Sequence, residues 1–183
     1  MPIQKDSCMY QSHYCEENIY QLLKKNESDS AYAVIVSNQR RIVRCARQAA
    51  CRPGEEFVFW DYHVFAIFKD EEMAYDLDCT ISFPVNVKQY LETTFQLPQD
   101  PEYELIAPRF RLTPRKTFLA HFSSDRSHMI NKATGEYMMP PPTWEPPNRH
   151  QKPNFEQFID METELFDSQI MDYNQLLAFC TGK

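Results

Sequence analysis

Only three of the 183 residues are glycine, and that scarcity limits what the chain can fold into more than any other feature. Loops that cradle phosphates need glycines where the backbone approaches a ligand or takes a positive φ. Three scattered glycines therefore exclude a Gly-rich phosphate loop and most nucleotide-binding folds. Proline constrains one segment just as firmly. Pro140, Pro141, Pro142, Pro146, Pro147 and Pro153 crowd into one short stretch. Residues 140–153 must run extended, as a stiff polyproline-like strap across the surface.

With 43% hydrophobic, 14% aromatic and 25% charged residues, residues 1–183 are expected to fold as one catalytic-sized domain with a real core. The net charge of −7 argues against a sequence-independent grip on nucleic acid, which depends on Lys and Arg neutralising phosphates. The small basic cluster Arg40, Arg41, Arg44 and Arg47 reads as a solvated strand edge. Met1 to Asp6 holds no apolar stretch, so no secretory leader is expected. No apolar run is long enough to cross a bilayer, so no membrane partner is expected. Cys8, Cys15, Cys45, Cys51, Cys79 and Cys180 form no Cys-x-x-Cys pair. They read as reduced thiols of a cytoplasmic or nuclear protein, with no metal site and no cofactor. With no heptad or apolar strip, a monomer is expected.

Residues Cys15 to Lys25 place Ile19, Leu22 and Leu23 at helical spacing, with Glu16 and Glu17 in the first turn and Ser12 as N-cap. Tyr32 to Val36 is β-branched and apolar, so it reads as a buried strand. Asn38 to Arg41 is a turn leading into a second strand through Ile42 and Val43. Phe57 to Val64 and Tyr75 to Asp78 read as two further strands joined by Lys69 to Glu72. Asn86 caps a helix bearing Val87, Tyr90, Leu91 and Phe95. Arg109 to Leu112 alternates like a strand, Phe118 to Phe122 is another apolar run, and Phe155 to Ile159 and Leu176 to Phe179 are helical.

Three residues carry the chemistry. Cys15 opens a helix, His63 lies in a strand-like run and Asp76 falls in the next one. A cysteine at a helix N-terminus, with His and Asp on neighbouring strands, is the arrangement of papain-like and transglutaminase-like catalysis. The helix N-terminus and a nearby imidazolium are expected to lower the thiol pKa, and a carboxylate to hold the imidazole in its useful tautomer. On a strand Asp76 and Asp78 share one face, so either can oppose His63, depending on register.

The strings Tyr14-Cys15-Glu16-Glu17-Asn18-Ile19, Trp60-Asp61-Tyr62-His63-Val64, Tyr75-Asp76-Leu77-Asp78 and Ser124-Asp125-Arg126-Ser127-His128-Met129 occur in that order. Together with the Pro140–Pro142 run and the Phe155/Phe158/Ile159/Met161 ending, they resemble the protein N-terminal glutamine amidohydrolase family over nearly the whole chain. The resemblance implies an α+β fold, an α/β/α sandwich with a mostly antiparallel central sheet flanked by helices and a papain/transglutaminase-like core. It implies removal of the side-chain amide from an N-terminal glutamine, leaving glutamate that feeds an N-degron route. It assigns the nucleophile to Cys15, the histidine to His63 and the aspartate to Asp76. The chain departs from the family pattern at His13, where a cysteine is often found, and in Ala46 to Cys51, which lacks a Trp and a Gln and carries an extra residue.

The implied partners are proteins or peptides with a free N-terminal Gln. Their α-amino group, with a reference pKa of about 7.7–8.0, is largely cationic at neutral pH, so a carboxylate near the nucleophile is expected. Asp78 is the first candidate, followed by Glu16 and Glu17, which otherwise read as first-turn carboxylates. Tyr14, Ser124 and Asp125 complete the substrate-binding candidates, although the Ser124 to His128 loop reads equally well as internally bonded. Two other readings stay open: another cysteine acyl-transferase (protease or transglutaminase), or a non-catalytic module that binds N-termini.

Overall fold

One central strand, buried on both faces, organises the molecule. In the computed structural model, which describes residues 3–95 and 101–182, the chain runs α1 (Cys15–Lys25), β1 (Ala31–Ser37), β2 (Val43–Ala46), β3 (Phe57–Trp60), β4 (His63–Phe68), β5 (Met73–Tyr75), β6 (Val85–Asn86) and α2 (Val87–Thr94). It continues through α3 (Pro101–Glu104), β7 (Arg109–Pro114), α4 (Arg115–His121), α5 (Phe155–Ile159), β8 (Gln169–Met171) and α6 (Tyr173–Thr181). Six strands form one sheet in the order β6-β5-β4-β1-β7-β8, every neighbouring pair antiparallel. Ala33 and Ile35 of β1 pack on the side of α1, α4 and α5, while Val34 and Val36 pack on the side of α2 and α6. A strand buried on both faces needs no polar positions, which is why this run is apolar throughout. The fold is α+β, with helices on both faces of an antiparallel sheet.

Helix α1 lies where its periodicity places it, burying Ile19, Leu22 and Leu23 against the sheet. Each such side chain contributes about 1.5–3 kcal/mol of transfer free energy. Its cap differs from expectation. Tyr14 is the N-cap and makes no side-chain capping bond, while the Ser12 hydroxyl contacts His13 Nδ1 at 2.8 Å. His13 itself takes φ of 68°, so the chain turns sharply into the helix. Asn86 caps α2 as expected, accepting from the Lys88 and Gln89 amides.

Two expected strands are cut short. The run Phe57 to Val64 breaks at Asp61-Tyr62, because Asp61 Oδ1 accepts from the Tyr62 amide and the Asp61 carbonyl accepts from Ser37 Oγ. These bonds take a donor and an acceptor out of any continuous ladder, so β3 leaves the sheet and pairs with β2 in a separate ribbon. That ribbon also takes up the second strand expected at Ile42 and Val43. Tyr75 to Asp78 ends as a strand at Tyr75, where the Cys79 amide bonds back to the Asp76 carbonyl at 3.2 Å. Residues 140–153 carry neither helix nor strand.

Candidate active site

Cys15 is the first residue of α1, half-buried, and opens on a cavity of about 660 Å³. His63, Asp78, Tyr62, His128, Tyr10 and Phe155 stand in the same wall. His63 is the first residue of β4, paired with Val36 of β1, so it sits at the end of the sheet with its side chain enclosed. The two elements meet because α1 packs along β4, which brings the helix start to the strand start.

Asp76 stands behind the imidazole. Its Oδ2 lies 3.1 Å from His63 Nε2, an ion-pair approach off the line of a good hydrogen bond. The same oxygen accepts from Tyr90 Oη at 2.8 Å and from Gln48 Nε2 at 3.0 Å. Oδ1 accepts from the Asp78 amide at 2.9 Å. Burial alone raises a carboxylate's pKa, but the His63 charge and these hydrogen bonds outweigh it and hold Asp76 below its ordinary value. For His63, burial pulls the pKa down, and Asp76, Asp78 and Glu16 more than reverse it, leaving a stronger base than usual. Because Nε2 faces Asp76, Nδ1 is the ring nitrogen available to a reacting group.

The structure thus separates two aspartates that the sequence left in competition. Asp76 meets His63, and the turn after Tyr75 carries Asp78 to the cavity wall instead of along a shared strand face. There Asp78 Oδ1 accepts from Tyr10 Oη at 2.6 Å. Burial pushes the Asp78 acid up from its ordinary range, with His63 opposing.

The thiol departs from expectation. Burial first, then the Glu16, Asp78 and Asp76 carboxylates, push the Cys15 pKa well above its usual value, against a backbone hydrogen bond from Val64. Enclosure and these carboxylates all disfavour the thiolate.

Four other candidates fall elsewhere than the sequence placed them. Tyr14 is fully buried beneath the helix start, and its hydroxyl donates to the Met139 carbonyl at 3.1 Å. Ser124 is buried and accepts from the Arg126 amide at 3.1 Å. Asp125 accepts from the Ser127 amide at 2.9 Å, a loop-closing turn. None of the three lines the cavity; they hold the loop and strap, while Ser127 and His128 of the same string do reach it. Glu17, a candidate for the amine, is fully buried and bidentate to Arg126 at 2.7 and 2.8 Å.

Sequence reasoning missed Gln48 and gave Tyr90 only a core role. Nothing local marks Gln48, which reaches Asp76 through the isolated pairing of Gln48 with Cys79. Ala49 and Ala50 line the cavity, so the divergent Ala46 to Cys51 segment does border it. Among the described residues, no group of three His, Cys, Asp or Glu side chains is placed to hold a metal ion, and no helix is long and apolar enough to cross a membrane.

Residues 10–180 match the family model described as N-terminal glutamine amidase. A protein N-terminal glutamine amidohydrolase of Caenorhabditis elegans is 34% identical over 178 residues, covering 95% of this chain and 96% of the relative. Its namesake in Caenorhabditis briggsae is 36% identical over 176 residues, 93% and 94% of the two chains. One from Drosophila melanogaster is 39% identical over 150 residues, 76% and 71% of the two.

Proposed function

As the chain belongs to the N-terminal glutamine amidase family, we propose that it hydrolyses the side-chain amide of a protein's N-terminal glutamine, leaving glutamate and releasing ammonia by a Cys-His-Asp thioester route. The observation that carries the mechanism is the cavity wall shared by Cys15, His63 and Asp78, with Asp76 fixed behind His63.

Cys15 Sγ adds to the side-chain carbonyl carbon while His63 Nδ1 takes the thiol proton. The tetrahedral oxyanion faces backbone N–H groups at the start of α1, donors worth about 10²–10³ in rate each. His63 then protonates the departing nitrogen, which leaves as ammonia, and a thioester remains. Water gives its proton to His63, attacks the thioester and yields the glutamate carboxylate, and the proton returns to the thiol. Asp78, in the same wall, pairs with the substrate's α-ammonium. A cavity of about 660 Å³ exceeds one glutamine side chain, so residues after the first enter as well.

The antiparallel sheet with a helix-start cysteine and a strand-start histidine supports a papain/transglutaminase-like core. Six free thiols and the substrate class support action in the cytoplasm or nucleus, supplying an N-degron route, and the chain is proposed to act as a monomer. The test is ammonia release and a mass gain of about one dalton from peptides beginning with Gln, Asn or N-acetyl-Gln, with Cys15→Ser beside the native chain. Turnover of free N-terminal Gln alone, lost in Cys15→Ser, is the expected result. Equal turnover of N-acetyl-Gln overturns the amine anchor, and an active Cys15→Ser overturns the nucleophile.

A further inference from the structure

Asp76 and His63 are not the only carboxylate and imidazole beside the thiol. Glu16, the next residue in α1, is 1% exposed and does not open on the cavity. Its Oε2 lies 3.7 Å from Cys15 Sγ and accepts from Tyr62 Oη at 2.9 Å. Its Oε1 has no aligned hydrogen-bond donor, yet His128 Nε2 stands 3.3 Å away. His128 is held there by its ring stacked on Phe155, centroids 4.1 Å apart at 11°, and edge-on to Tyr62 at 6.4 Å. It reaches this position from the far side of the cavity, through the 3-10 turn Ser127–Met129.

We propose that Glu16 and His128 form a second carboxylate–imidazole couple that sets the ionisation of Cys15, Glu16 opposing formation of the thiolate and His128 offsetting that opposition. The proposal rests on Cys15 being the nucleophile, and it makes both residues positioning groups that act through the sulfur's environment. A carboxylate this close and this enclosed is poorly screened by water. A like charge at about 4–6 Å moves a titration by about a unit or more.

The other charged groups around this cluster are few. Asp78 and, behind His63, Asp76 bear on Cys15 from the β5 end of the sheet. Glu17 bears on Glu16 from the same helix, with its charge met by Arg126. Asp125 bears on His128 from its own loop. His63, at the start of β4, also feels the Glu16 charge; among the described residues His128 is the imidazole at ion-pair distance from Glu16, so it is the group placed to soften the carboxylate's effect on the sulfur.

The sign of each effect is the test. Iodoacetamide alkylation of Cys15, followed by peptide mass spectrometry across pH, reads thiolate formation directly in the full chain. Glu16→Gln keeps the side chain's shape and should move the alkylation midpoint about one unit lower. His128→Gln leaves Glu16 without the N–H dipole of its partner and should move it higher, by less than the Glu16→Gln shift. The double variant should track Glu16→Gln, since the imidazole acts through the carboxylate. Thermal melts establish that each variant is folded; Glu16→Met and His128→Asn replace any that is not. Midpoints that stay put, or that move in the same direction, overturn the proposal. A purely structural role changes yield or melting temperature without opposite shifts. If Cys15→Ser retains ammonia release, the nucleophile assignment fails instead, so the two failures are told apart.

Discussion

Replacing Arg126 by methionine should cost more stability than any surface change, and the reason lies in Glu17. That carboxylate is fully buried in the first turn of α1. It accepts from Arg126 Nε at 2.7 Å, Arg126 Nη2 at 2.8 Å and Trp144 Nε1 at 2.9 Å. The same guanidinium donates to the carbonyls of Pro142 at 3.2 Å and Trp144 at 2.6 Å, so one side chain ties the proline strap to the helix that carries Cys15. Removing one partner of a buried pair strands the other charge, at about 3–5 kcal/mol. For a chain of this size each kcal/mol is worth about 2–4 °C, so the melting temperature should fall by roughly 6–20 °C. Burial already pushes the Glu17 acid up, with Arg126 the main group opposing it. Without Arg126 it rises further. A carboxylate whose folded pKa exceeds its unfolded one loses stability as pH rises through that interval. The deficit of Arg126→Met should therefore shrink as the pH is lowered towards the ordinary carboxylate range. Urea unfolding followed by circular dichroism, with Glu17→Leu and the double variant, closes the cycle. The double variant should be more stable than the sum of the singles implies. A loss below about 1 kcal/mol in Arg126→Met, or strict additivity in the cycle, would refute the reasoning.

Asp76→Asn should lower kcat by up to ~10⁴, by analogy with aspartates that orient a catalytic histidine; Asp78→Asn should act mainly on KM for peptides with a free α-amine. A larger kcat loss in Asp78→Asn would reverse the assignment of the two. Tyr90→Phe removes a buried hydrogen bond to the Asp76 carboxylate and should cost about 1.5–3 kcal/mol in urea unfolding, with kcat reduced and KM little changed. The His63–Asp76 couple also has a pH signature. His63, raised from 6.5, contributes stability that is complete below 6.5 and lost as pH rises through its folded value. Asp76, lowered from 3.8, contributes stability present above 3.8 and lost as pH falls through its folded value. The stability difference between the native chain and His63→Gln should peak between pH 3.8 and 6.5, and a monotonic difference across that window would contradict the couple.

The apolar periodicities of α1, β1 and α2 were legible because local spacing and burial agree there, and the chemistry-bearing residues were legible because each opens or follows such an element. Breaks were not. The end of β3 depends on Asp61 bonding the amide beside it and on Ser37, 24 positions away, holding the Asp61 carbonyl. Strand β8 is three residues long and pairs only at the sheet edge, too short for period-two alternation to show. The choice between Asp76 and Asp78 was beyond the sequence for a related reason. It assumed a strand where a turn stands, and alternation says nothing about a turn.

The carboxylates of the site were the least legible feature, and they change the chemistry most. From sequence, Glu16 and Glu17 are ordinary first-turn acids that favour the positive end of a helix dipole. In the fold both are buried, and Glu16, Asp76 and Asp78 together oppose ionisation of the very thiol that the helix start should favour. The dipole effect is of order 0.3–1 kcal/mol at an exposed terminus, while burial and three nearby carboxylates act in the opposite sense. The same acids strengthen His63 as a base. On the proposed mechanism, a substrate whose α-ammonium pairs with Asp78 would neutralise one of the opposing charges. On that logic the α-ammonium would do two things at once: place the glutamine and ease the ionisation on which the proposed attack depends.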